Sequence, residues 1–165
     1  MTQHWPLQQI FVSYSQIAVF RKQLPHPFSD WSDAHIAQGF AWREGSVSFG
    51  TPSEADDQSE IDVSVQSELH LQDNAVRAIV VPFVVGPEGV TVSSIMSAQH
   101  HFDVPPGTYE LLFEAIPQFP GHSDPMKVRY AFRFVPHSDP QPRVLKHDDE
   151  LAPPPVLLME AKAAV

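Results

Sequence analysis

The side chains best suited to chemistry are gathered between residues 28 and 50, "FSDWSDAHIAQGFAWREGSVSFG", where Trp31 and Trp42 stand among Asp30, Asp33 and Glu44. The chemistry that suits such a set is recognition: an aromatic residue ringed by acids makes an anchor for a basic protein partner. A structural explanation competes with it. In it Trp31, Ile36, Phe40 and Phe49 pack the stretch over the open end of a sheet sandwich, and the carboxylates cap a helix or edge it with charge. A second acidic run, "GTPSEADDQSEID" at 50–62, carries Glu54, Asp56, Asp57, Glu60 and Asp62 and reads as an exposed loop entering a strand.

Most catalytic chemistry lacks its residues. The chain has no cysteine, which removes disulfides, thiolate metal sites and cysteine nucleophiles together. Its nine histidines form neither HExxH nor HxH. His100 and His101 are adjacent in an expected strand, where neighbouring side chains leave opposite faces and do not share one ion. There is no G-x-S-x-G elbow and no Gly-rich phosphate loop. The acidic doublets Asp56–Asp57 and Asp148–Asp149 fall in segments read as exposed, where nothing separates their pKa values. The expectation is a protein without catalytic residues, metal or cofactor.

The elements that must position the acidic stretch are strands. In "EIDVSVQSELHL" the alternation puts Ile61, Val63, Val65, Leu69 and Leu71 on one face. "AVRAIVVPFVV" reads as a buried strand whose Pro82 belongs at an edge or bulge, since proline has no N–H to donate. "GPEG" reads as a hairpin loop and "VTVSSIM" as the returning strand. "GTYELLFEAIP" follows the turn "VPPG". In "MKVRYAFRFV", Val128, Tyr130, Phe132 and Phe134 alternate with Lys127, Arg129 and Arg133, a basic stripe that offers another contact surface. "QQIFVSYSQIAVF" and "GSVSFG" complete seven to nine short strands, an all-β antiparallel sandwich, with a small barrel as the other closure. One short helix is expected in "SDWSDAHIAQG", capped by Ser29, Asp30 or Ser32 and closed by Gly39.

Seventeen prolines against seven glycines fit a turn-rich domain, and 165 residues make one domain the default. After Pro136 the texture changes. "HSDPQPRVLKHDDELAPPP" reads as an extended strap or linker, so that 137–165 forms a Pro-rich, charged extension to a domain spanning 1–136. The closing "VLLMEAKAAV" suits an edge strand or a short helix. The formal charge of −10 opposes direct binding to DNA or RNA and favours a basic partner. "MTQHWPLQQIFVSYSQ" has no basic n-region before an apolar run, and no stretch reaches the length of a transmembrane helix, which predicts a soluble, cytoplasmic protein.

The segments "VSYSQIAVF", "DWSDAHIAQGFAWREGSVSF", "SIMSAQHHFDVPPGTYEL" and "AIP", in that order, resemble the competence protein J family of DNA-entry nuclease inhibitors. The resemblance runs from residue 9 to residue 136. It is carried by Ser13-Tyr14, Asp30-Trp31 with Asp33, Ile36 and Gly39, Ser48-Phe49, Ser94 to Ser97, Phe102-Asp103, Pro105, Gly107 and Tyr109. It implies an inhibitor that pairs with a non-specific DNA nuclease, with Asp30 and Asp33 as its functional candidates. Residues 137–165 and much of 54–62 lie outside it, which leaves room for an immunity protein against a delivered nuclease toxin. A basic nuclease cleft built for polyanionic DNA is complementary to an acidic surface, so the expected contact set is Asp30, Trp31, Asp33, Trp42 and Glu44 with Asp56, Asp57 and Glu60. A ligand-binding β-sandwich, for example for carbohydrate stacked on Trp31 and Trp42, is the alternative.

Overall fold

The computed structural model describes residues 2–118 and 126–165. Among these residues twelve strands and one helix follow in the order β1 (Gln3–His4), β2 (Gln8–Phe11), β3 (Gln16–Phe20), α1 (Asp33–Gln38), β4 (Phe40–Arg43), β5 (Ser46–Gly50), β6 (Gln58–Val65), β7 (Arg77–Val85), β8 (Val90–Ser93), β9 (His100–Phe102), β10 (Gly107–Pro117), β11 (Val128–Pro136) and β12 (Arg143–Lys146). They form two sheets. One is ordered β1-β6-β11-β10-β7-β12, with β2 continuing along the β6 edge; the other is β4-β5-β3-β8-β9. All-β architecture with a single short helix is as the sequence implies. The strand count is higher than the seven to nine expected.

One turn adds to the strand count, and a second changes which sheet the next strand joins. "QQIFVSYSQIAVF" is broken at Ser13–Gln16, and its halves enter different sheets as β2 and β3. The "GPEG" turn does form, closed by Gly86 and Gly89, but it joins β7 of one sheet to β8 of the other. Both are corners of the sandwich. Alternation specifies which face of a strand is apolar, not which sheet receives the next strand. One pair is parallel: β11 runs alongside β6 with Tyr130 opposite Ile61, a neighbour reached only by a long excursion through the intervening strands.

The inner faces interdigitate as alternation requires. Ile61, Val63 and Val65 of β6, Tyr109, Leu111 and Phe113 of β10, and Tyr130, Phe132 and Phe134 of β11 meet Ile17, Val19, Val47 and Phe49 of the facing sheet. Phe49 stacks on Phe113 with centroids 4.4 Å apart. Leu69 and Leu71 depart from the sequence reading: β6 ends at Val65, and these leucines cover Ala78, Val80 and Leu112 on the outer face. Pro82 lies past Val80, where pairing with β12 stops, so β7 needs no partner for its missing N–H there.

The outer face of the larger sheet carries a ladder of ion pairs. Lys127 pairs with Asp56, Arg129 with Glu60, Arg133 with Glu114 and Arg143 with Glu110. The basic stripe of β11 is therefore neutralised within the fold and is not a solvated cationic face. Cross-strand opposite charges of this kind stabilise a sheet locally.

Residues 137–165 run back over the sandwich. β12 pairs with β7, Leu151 is buried, and Leu157 and Met159 pack against the core. The terminal residues bond to the segment before the helix: Asp30 N–H donates to the Lys162 carbonyl and Ala164 N–H to that of Phe28. Among the described residues no helix is long and apolar enough to cross a membrane.

Candidate functional site

The site is built where α1, the β2–β3 corner and the C-terminal strap converge. Helix α1 is fixed at both ends by its own sequence. Ser32 is the N-cap, accepting from His35 N–H, and Ser32 N–H donates to His35 Nδ1 at 2.9 Å. The other ring nitrogen, Nε2, donates to the Glu160 carbonyl at 2.8 Å, which defines a neutral imidazole protonated on Nε2. Gly39 ends the helix at φ +90°, a left-handed conformation that favours glycine. Asp33 occupies the first turn, where the backbone amides favour a carboxylate.

The β2–β3 corner holds two consecutive non-glycine residues in the left-handed region, Tyr14 at φ +55° and Ser15 at φ +51°. Each costs about 1–2 kcal/mol. Ser94 holds the turn in place: its buried hydroxyl oxygen accepts from Ser13 N–H at 2.8 Å and lies 2.7 Å from the Gln16 carbonyl, to which it donates. Ser13 Oγ donates in turn to the Ile95 carbonyl. The corner thereby presents Tyr14 with 73% of its surface exposed. Strain kept by surrounding structure is characteristic of functional positions.

Tyr14, Trp31 and Ile36 line a cleft of about 500 Å³, with Gly50, Arg77 and Leu151 at its floor and sides. Ile36 is 57% exposed, so it does not pack the helix onto the sandwich as the sequence pattern suggests. Trp31 is half-buried, and its Nε1 donates to Gln16 Oε1 at 3.3 Å. Its other side borders a second depression of about 380 Å³ shared with Asp30, Ser32, Leu158 and Glu160. Beneath the first cleft Arg77 is buried with its guanidinium fully engaged, at 2.8 and 3.2 Å from the Asp148 carboxylate, 3.1 Å from Glu150 and 2.8 Å from the Gly50 carbonyl. Asp148 is thus a structural counter-ion and not part of a solvated run.

The predicted residues divide into groups. Asp30, Trp31 and Asp33 are assembled at the helix start, and both carboxylates are exposed with no ion-pair partner among the described residues. Asp33 lies one turn before Ile36, on the same side of α1. Trp42 is half-buried against the core and its Nε1 donates to the Pro82 carbonyl at 2.7 Å. Glu44 is at the tip of the β4–β5 hairpin, 85% exposed and 4.0 Å from Arg21. Asp56 and Glu60 are already matched to Lys127 and Arg129, while Asp57 between them is exposed. The Lys127 hydrogen bond, followed by one from Gln58 N–H, holds the Asp56 carboxyl below its ordinary value. Trp31 and Trp42 therefore do not share a stacking platform. Sequence reasoning named Tyr14 only as a residue of the family resemblance and did not place it, or the strap residues Glu150 and Glu160, beside Trp31. The signal for Tyr14 was present, because "SYS" interrupts two apolar alternations.

Residues 9–135 match the family model for Competence protein J (ComJ). The DNA-entry nuclease inhibitor of Bacillus subtilis (strain 168) is 32% identical over 118 residues, covering 71% of this chain and 86% of that protein. The crystal structure of ComJ from Bacillus subtilis, inhibitor of the DNA degrading activity of NucA, is similar with a TM-score of 0.72 at 30% identity, covering 83% of this chain and 99% of its own. Crocagin biosynthetic gene J gives a TM-score of 0.52 at 14% identity over the same shares, a likeness of fold alone. With its corner, its capped helix and most of its strands inside the matched span, this chain belongs to the competence protein J family.

Proposed function

We propose that this chain is a protein inhibitor of a DNA-degrading nuclease and that it engages the enzyme through the Tyr14–Trp31–Ile36 surface. Membership of a family whose Bacillus subtilis relative is a DNA-entry nuclease inhibitor carries the activity. The observation that carries the location is the combination of an exposed aromatic and aliphatic cluster with carboxylates that have no counter-charge among the described residues. On the outer face of the larger sheet, by contrast, Asp56, Glu60, Glu110 and Glu114 are already paired. Asp30 and Asp33 keep their charge available beside Trp31.

The division of labour is physical. Tyr14, Trp31 and Ile36 supply apolar contact area and a desolvated centre, the usual seat of binding energy. Asp30 and Asp33 at the rim match the positive potential of a cleft built to hold DNA, which speeds encounter and fixes orientation. Occupation of that cleft by an acidic surface excludes the polyanionic substrate. A cytoplasmic setting suits a cysteine-free chain, and a competence nuclease or a delivered toxin would serve equally as target.

The test is a DNA-degradation assay with a nuclease of the NucA kind from the same organism, titrated with purified wild type and with the double variant Asp30→Lys, Asp33→Lys. Wild type should abolish cleavage near one-to-one stoichiometry. The variant should raise the inhibition constant about tenfold or more, chiefly by slowing association, and the gap should shrink as salt rises. A correctly folded variant that inhibits as wild type does would remove these carboxylates from the contact.

A further inference from the structure

We infer that the C-terminal strap, outside the family match that ends at residue 135, supplies the partner-discriminating half of this surface through Glu160 and, secondarily, Glu150. The inference rests on the inhibitor reading above. Each depression beside Trp31 has one wall from the family-matched chain and one from the strap. Glu150 and Leu151 close the first, and Leu158, Glu160 and Lys162 close the second. A partner seated on Trp31 therefore meets residues that the rest of the family match does not contain.

The strap is held rigidly where this matters. Gln38 is buried and pairs with Leu158 as another strand would: Leu158 N–H donates to Oε1 at 2.8 Å, and Nε2 donates to the Leu158 carbonyl at 2.9 Å. Two residues on, the Glu160 carbonyl accepts from His35 Nε2, and the Lys162 carbonyl accepts from Asp30 N–H. The backbone of Glu160 is thus fixed from both sides. Its carboxylate is exposed and has no hydrogen-bond or ion-pair partner among the described residues. Glu150 is more committed, accepting from Ser53 N–H at 2.9 Å and pairing with Arg77, yet 43% of its side chain faces solvent. A fixed backbone bearing a free carboxylate beside an aromatic anchor is preorganised for one lysine or arginine of the partner, because little further ordering is required on binding.

Full-length Glu160→Lys and Glu160→Gln are compared with wild type in the same nuclease titration. Glu88→Lys, in the exposed "GPEG" turn beyond the opposite end of β7 from Arg77, imposes the same change in net charge away from the site. Glu160→Lys should raise the inhibition constant about tenfold and Glu160→Gln by a smaller factor, with Glu88→Lys within about twofold of wild type. All should melt like wild type, since the Glu160 side chain makes no described bond. The inference is overturned if Glu160→Lys inhibits as wild type does, or if Glu88→Lys loses as much. Wild type without effect on the nuclease would instead sink the inhibitor reading and this inference with it.

Discussion

Leu151→Ala tests whether the strap is an integral wall of the cleft in solution. Leu151 is 7% exposed, and its Cδ1 stands 2.8 Å from the position a Cβ on Gly39 would occupy, so it fills the space that glycine leaves at the end of α1. The substitution removes three carbons, about 2.4 kcal/mol at 0.8 per buried carbon. The cavity contribution should be small because the site borders an open cleft into which water or neighbours can move. At about 2–4 °C per kcal/mol for a chain of this size, the melting temperature should fall by about 5–10 °C. Thermal melts followed by circular dichroism give the number, and amide exchange shows where the loss falls. The amides of Asp30, Ala152 and Ala164, which bond across the strap contact to Lys162, Ala37 and Phe28, should lose protection before the β10 and β11 core. An unchanged melt together with unchanged protection at those three amides would refute the packing argument.

Two other substitutions separate stability from contact. Trp42→Phe deletes the bond from Nε1 to the Pro82 carbonyl and should cost about 1 kcal/mol of unfolding free energy in denaturant titrations while inhibition stays unchanged; a weaker inhibitor of native stability would move the contact to β4. Glu110→Gln addresses pH. Arg143 donates to the Glu110 carboxylate at 2.6 and 3.2 Å, and that bond is the main cause holding its carboxyl below the ordinary 4.5. The stabilisation is complete above the ordinary value and is lost as pH falls through the depressed folded value. The variant should therefore be less stable at neutral pH and show a shallower acid limb in urea titrations. Parallel limbs would show that the pair contributes nothing there.

Much of the frame was legible because its signals are local. Period-two alternation in 128–136 returned β11, the turn "VPPG" marked the start of β10, and capping residues that included Ser32 and Gly39 returned α1, since a cap is satisfied by atoms within a few residues. Asp30, Trp31 and Asp33 were found as a group because they are neighbours in the chain as well as in space. β4 and β12 escaped notice because short strands with half-exposed patterns carry little periodicity of their own. The family resemblance itself was a property of the sequence, spread over motifs in a fixed order.

Everything that depends on distant residues meeting was decided by the tertiary structure. Nothing local says that Asp56 faces Lys127 or that Glu60 faces Arg129; those pairs exist because β6 lies parallel to β11, and they take both acids out of the free set. Nothing local says that Trp42 turns its indole to Pro82 while Trp31 borders open clefts. The strap shows the limit most clearly. Its proline-rich composition specifies an extended chain, and alternation is absent, so its place is set by single long-range contacts: Asp148 on Arg77, Leu151 under Gly39, Leu158 on Gln38 and Glu160 on His35. The sequence by itself determined the all-β class, the helix and the family; the division into two sheets and the meeting of Tyr14, Trp31 and the strap at one surface were decided by sheet packing, because contacts between residues far apart leave no period in the chain.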